Sequence, residues 1–137
     1  LKVKYDNNSS LQNVKTEVTV YTNDFKKLDA SSAGKIFISD DFKLDILVLN
    51  LNSAGQISGN IFADKLNIVS TSASGIDANV QAKNIDLEAT SASKVKLSGN
   101  TNKINVEATS TAKVYLENLK YQNLNQEVTS LAKVYTK

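Results

Sequence analysis

The chain has 137 residues, 41% of them hydrophobic, with 16 basic residues against 14 acidic ones for a net charge of +2. It contains no Cys and no His, which excludes disulfides, thiolate sites, histidine general-base catalysis and the common zinc sites. Every basic residue is Lys, so no Arg fork is available, and the charges are spread without long runs, which argues against nucleic acid as a partner; no apolar run is long enough for a membrane-spanning helix.

The length fits one domain with a real core, here 1–137. The apolar residues are mostly Val, Ile and Leu, which favours strands. Pro is absent, as suits a stack in which backbone N–H groups are needed for pairing. The chain starts at Leu1 without Met, so we expect a processed or trimmed product.

Residues 1–20 read as a lead-in. "LKVKY", a turn at "DNNSS" and "VKTEVTVY" suggest a hairpin or a first irregular coil. From 21 to 137 one phrase returns: SSAGKI (31–36), NSAGQI (52–57), TSASGI (71–76), TSASKV (90–95), TSTAKV (109–114) and TSLAKV (129–134). Its last residues, Ile36, Ile57, Ile76, Val95, Val114 and Val134, are spaced 21, 19, 19, 19 and 20 apart. A second column, Leu28, Leu49, Ile68, Leu87, Val106 and Gln126, keeps the same spacings. Two columns drifting together mark a structural repeat.

Within each unit apolar residues alternate, as in "KINVEATS" and "NIDLEATS", which argues strand. The expected fold is all-β: a parallel β-helix, or β-solenoid, of about five to six coils with 19–20 residues per coil. The crossover rule predicts right-handed winding. Two or three short strands per coil are expected, with connectors "GNIFAD", "NVQAKN", "GNTNKI" and "NLKYQN" absorbing the longer spacings. Continued alternation places Ser32, Ser53, Ser72, Ser91, Ser110 and Ser130 inward as a hydroxyl ladder. The small residues Gly34, Gly55, Ser74, Ser93, Ala112 and Ala132 also face inward, so the phrase reads as a corner.

The repeated Ser-x-x-Gly-x-Ile/Val units behind alternating strands resemble the GIN-domain family of putative auto-transporter adhesins, exported proteins mostly of Bacteroidetes. The resemblance rests on "VTVYTNDFKKLDASSAGKI", "LNLNSAGQI", "IVSTSASGI" and "LEATSASKV" and covers roughly 14–136. Lys94, Lys113 and Ala112 depart from the family's usual Gly. It implies a β-helical fold, an exported location in the periplasm or on the outer cell surface, and an adhesion-like or scaffolding role. It supplies no catalytic residues and no cofactor.

The outward face of the main strand carries regular columns: Asn67, Asp86, Asn105, Asn125; then Val69, Glu88, Glu107, Glu127; then Thr71, Thr90, Thr109, Thr129. Stacked carboxylates beside amides suit a divalent cation or a polysaccharide. The plainer reading is a flat, solvated wall whose like charges are screened. A flat hydroxyl lattice for ice wants two adjacent Thr columns, and here the neighbour is Glu. Lys94, Lys113 and Lys133, with Tyr115 and Tyr135, form a second outward patch, suited to anionic glycans or a partner chain or merely to solubility. The terminal "AKVYTK" strand leaves a coil edge that invites a homo-oligomer, with Lys133 and Lys137 as blunting charges that favour a capped monomer.

The expected function is a non-enzymatic, exported cell-envelope interaction domain with protein or glycan partners. The alternatives are a carbohydrate-binding or carbohydrate-active solenoid using the Glu88–Glu107–Glu127 wall, and a spacer with no ligand of its own.

Overall fold

The computed structural model describes residues 20, 22, 25–39 and 43–137. The expected lead-in over 1–20 lies almost entirely outside them. Eight strands follow in order: β1 (Lys27–Ala30), β2 (Lys35–Ile38), β3 (Lys43–Leu51), β4 (Gln56–Ser70), β5 (Gly75–Ala89), β6 (Lys94–Ala108), β7 (Lys113–Val128) and β8 (Lys133–Tyr135). All pair in parallel, each with its counterpart about one coil away, which makes a β-solenoid of about six turns. Among the described residues no helix is long and apolar enough to cross a membrane.

The register confirms both repeat columns. Ile57 pairs with Ile76, Ile76 with Val95 and Val95 with Val114. Leu49 pairs with Ile68, Ile68 with Leu87 and Leu87 with Val106. These side chains are buried and form the core with Leu47, Leu66, Ile85, Ile104 and Leu116. Each fully buried side chain of this kind contributes roughly 1.5–3 kcal/mol. Gln126, the last member of its column, is exposed.

The coils are simpler than the sequence suggests. From β4 to β7 one strand of 15 or 16 residues runs from one turn to the next, and the expected connectors are part of it. The strand bends where inward–outward alternation slips, at Asp64–Lys65, Lys83–Asn84 and Asn102–Lys103. This bend divides each coil into wall A, which follows the turn, and wall B, which precedes the next turn. At the bend the buried Thr101 hydroxyl lies 3.1 Å from the Lys103 carbonyl and 3.3 Å from that of Lys83. Asp64 sits there between Lys43 (2.8 Å) and Lys83 (2.9 Å).

The extra residue behind the spacing of 20 is a β-bulge: Lys96 faces Tyr115 while Ser98 faces Asn118. The two extra residues behind the spacing of 21 fall between Ile38 and Lys43, where residues 40–42 lie outside the described set.

The serine column needs correction. Ser32, Ser53, Ser72, Ser91, Ser110 and Ser130 are exposed and have φ between 47° and 57°. Each is the second residue of a β-turn closed by an N–H to C=O bond three residues back, as from Gly55 to Asn52 (2.8 Å) and from Ser93 to Thr90 (3.1 Å). Ala33, Ala54, Ala73 and Ala92 also have positive φ, giving the type I′ pattern; Thr111 and Leu131 do not, giving type II′. A β-branched residue such as Thr111 fits the left-handed region poorly, which accounts for the change in that turn. The Ala33, Ala54 and Ala73 amides bond the Ser53, Ser72 and Ser91 carbonyls of the next coil. Among the described residues the serines that are buried are Ser70, Ser74 and Ser93.

Candidate functional site

The sequence-selected residues fall on two surfaces separated by the column of β-turns. Asp86, Glu88, Asn105, Glu107 and Glu127 share wall B. Lys94, Lys113, Tyr115 and Tyr135 share wall A. Each surface is a set of columns because parallel pairing puts equivalent residues one above another at about 4.8 Å.

On wall B the inner column is a hydrogen-bonded ladder. Asn125 Nδ2 donates to Asn105 Oδ1 (3.0 Å), and Asn105 Nδ2 donates to Asp86 Oδ1 (2.6 Å). Lys65 Nζ lies 3.3 Å from the other Asp86 oxygen. The Asn105 amide, then the Lys65 ammonium, hold the Asp86 carboxyl below its ordinary range. One coil earlier, the Asn67 Oδ1 is buried without a partner. The outer column, Glu88, Glu107 and Glu127, is exposed. Between the two columns runs an open groove of about 570 Å³, lined across four coils from Asn67 and Val69 to Asn125 and Glu127. The expected flat wall is therefore grooved. No cluster of acidic side chains suited to a metal ion occurs among the described residues.

On wall A, Lys94, Lys113 and Lys133 stack in register, as do Tyr115 and Tyr135. The two tyrosine rings are nearly parallel, with centroids 4.7 Å apart, and Lys94 Nζ lies 5.5 Å from the Tyr115 centroid. A second groove of about 260 Å³, bordered by Lys35, Gln56, Asp77, Lys94 and Lys96, passes over Gly75. The sequence reading missed it. Its signal was Gly75, a lone glycine in a column otherwise occupied by Lys and Gln. A Cβ there would meet nothing closer than 3.8 Å, so backbone packing does not demand the glycine.

The two walls therefore offer extended, periodic surfaces, and their functional groups do not converge on one point. The family model described as "Putative auto-transporter adhesin, head GIN domain" matches residues 1–137. No curated protein and no solved structure matches the chain.

Proposed function

Because the chain belongs over its whole length to the head GIN domain family of putative auto-transporter adhesins, we propose that it is a non-enzymatic contact domain of an exported protein, acting at the cell envelope through its outer walls. The family supports binding rather than catalysis, and exposure at a surface. The observation that carries the reading is the in-register repetition of polar side chains on wall B. Asp86, Asn105 and Asn125 form one edge of an open groove and Glu88, Glu107 and Glu127 the other. Such a strip suits an extended ligand with its own repeat, held through many weak contacts, better than a small molecule enclosed on all sides.

The test is display of the domain on the surface of a non-adherent carrier bacterium, with attachment to glycan-coated and protein-coated surfaces measured under flow. Carrier cells with the domain attach above carrier cells alone, and Glu88→Gln/Glu107→Gln/Glu127→Gln reduces the difference. Attachment no better than that of the bare carrier on every surface overturns the proposal.

A further inference from the structure

Among the described residues nine charged side chains of this solenoid are paired between neighbouring coils or columns. Lys43 and Lys83 flank Asp64, Lys65 reaches Asp86, Lys96 reaches Asp77 and Lys27 reaches Asp29. Two columns instead carry a single sign of charge over three successive coils. Glu88, Glu107 and Glu127 stack like on like, and so do Lys94, Lys113 and Lys133. Among the described residues neither column makes an ion pair or a side-chain hydrogen bond within the chain; Lys94 only overlies the Tyr115 ring. Like charges directly opposite one another on neighbouring strands are destabilising.

The two columns are matched to each other. Glu88 and Lys94 flank the turn at 90–93, Glu107 and Lys113 flank 109–112, and Glu127 and Lys133 flank 129–132. Each of the last three coils thus contributes one glutamate to wall B and one lysine to wall A, with the same separation along the chain. Earlier coils carry Asp29, Asn50 and Val69 in the first column and Lys35, Gln56 and Gly75 in the second, so the unmixed charge is confined to one end of the stack. Both columns have the same number of charges and the same interstrand spacing. A rigid alignment of the two columns that pairs Glu107 with Lys113 of another molecule therefore pairs all three.

From this charge complementarity we infer that the partner of both columns is a second copy of this chain. The Glu88–Glu107–Glu127 column of one molecule docks against the Lys94–Lys113–Lys133 column of the next. The wall B groove gives the incoming lysine stems room, and the Tyr115–Tyr135 stack lies beside them on the partner's wall A. Because different surfaces of the two copies meet, the contact is heterologous. Each added copy leaves one acidic and one basic column free until two ends meet, so assembly either closes into a ring or continues as an open chain. A foreign polyanion would satisfy the lysines alone. The inference goes beyond the adhesive role, which does not require it: a docked copy occupies the wall B groove, and the copy whose wall B stays free presents that groove to other ligands.

Sedimentation velocity on the intact chain tests it. At about 10 mM salt, where charges interact over about 30 Å, the mean mass rises with protein concentration; at about 1 M salt, where that reach falls to about 3 Å, the chain is monomeric. Glu88→Lys/Glu107→Lys/Glu127→Lys and Lys94→Glu/Lys113→Glu/Lys133→Glu each stay monomeric at low salt when alone. Mixed in equal amounts they associate again, because each now offers the column that the other lacks. Circular dichroism confirms that both variants are folded, and milder Gln variants replace them if either is not. A wild-type chain that is monomeric at low salt at every concentration overturns the inference, as does a mixture that stays monomeric. Binding of heparin by a monomeric wild-type chain likewise overturns it and assigns the lysines to a polyanion. Attachment of carrier cells under flow at high salt reads the adhesive role separately.

Discussion

The Ser70 hydroxyl lies 2.8 Å from the Ser74 hydroxyl across the inside of the turn at 71–74, and the Ser74 hydroxyl also reaches the Leu51 carbonyl at 3.3 Å. One coil later the position of Ser70 is taken by Ala89, and the buried Ser93 hydroxyl has no partner. Ser74→Ala is therefore expected to cost about 1 kcal/mol, since it strands the Ser70 hydroxyl. Ser93→Ala is expected to be neutral or stabilising, since it removes an unsatisfied group. Urea denaturation of the two variants checks the contrast; equal losses would mean that the Ser70–Ser74 pair contributes nothing.

The turn geometry makes a second prediction. Ser91 is exposed while Ser93 is 1% exposed. Ser91→Asp is expected to change stability by under about 0.5 kcal/mol, as surface substitutions usually do. Ser93→Asp buries a carboxylate without a cation and is expected to cost several times more. Ala92, with φ 64°, is expected to favour glycine: Ala92→Gly relieves about 1–2 kcal/mol of left-handed strain against about 0.5–1 kcal/mol of added chain entropy. Melting temperatures of the three variants rank them.

That second prediction also shows where the sequence was readable and where it misled. The repeat period, the inward Ile/Leu/Val columns and the outward Asn, Glu and Lys columns were legible because stacked coils place like residues on like residues. The role of the serine was not. Ala89 and Ser93 both face inward and lie four positions apart, an even offset, so alternation carried straight through the phrase gives both correctly. It also puts Ser91 inward, between them, where the chain is in fact turning outside the core. The small residues of the phrase marked a corner, but no Gly or Asn marks the left-handed positions, so composition gave no warning that the serine swings outward there. The bend near Lys83–Asn84 falls inside the expected connector NVQAKN, but the strand runs on through it and only the alternation slips. The grooves depend on how far each wall curves, which residue spacing does not encode.

Gly99 and Gly75 are predicted to behave oppositely. Gly99 has φ 102°, and a Cβ there would run into the Val80 carbonyl oxygen. Gly99→Ala is expected to destabilise by more than the usual glycine-to-alanine effect, because backbone must move. Gly75→Ala has open space and is expected to be neutral or to stabilise by about 0.4–1 kcal/mol. A chemical denaturation series on both separates them; similar losses would contradict the open groove above Gly75.

Acid should weaken the fold partly through Asp86 and Asp64. The Asn105 amide and then Lys65 lower the first carboxyl; Lys43 and then Lys83 lower the second. Carboxyls lowered in the folded state contribute stability above the ordinary Asp range, and it is lost as pH falls through their folded values. Lys43, raised by its bond to Asp64, has the opposite sign and loses its contribution as pH rises through its own folded value. Asp64→Asn/Asp86→Asn is expected to be less stable at neutral pH and to show a shallower loss toward acid. Thermal melts across the acidic range measure the slope, and an unchanged slope would exclude both carboxyls as its source.

The bulge between Lys96 and Ser98 has a consequence for how errors are tolerated during evolution. An inserted residue in β7 is absorbed locally: pairing resumes at Asn118, and beyond it Leu124, Asn125 and Glu127 still meet their counterparts in β6. Length variation in one coil therefore need not propagate to the next, so coils can be lengthened or duplicated one at a time while the outer columns stay continuous. The outer face is in this sense modular, and its length can change without the fold being rebuilt.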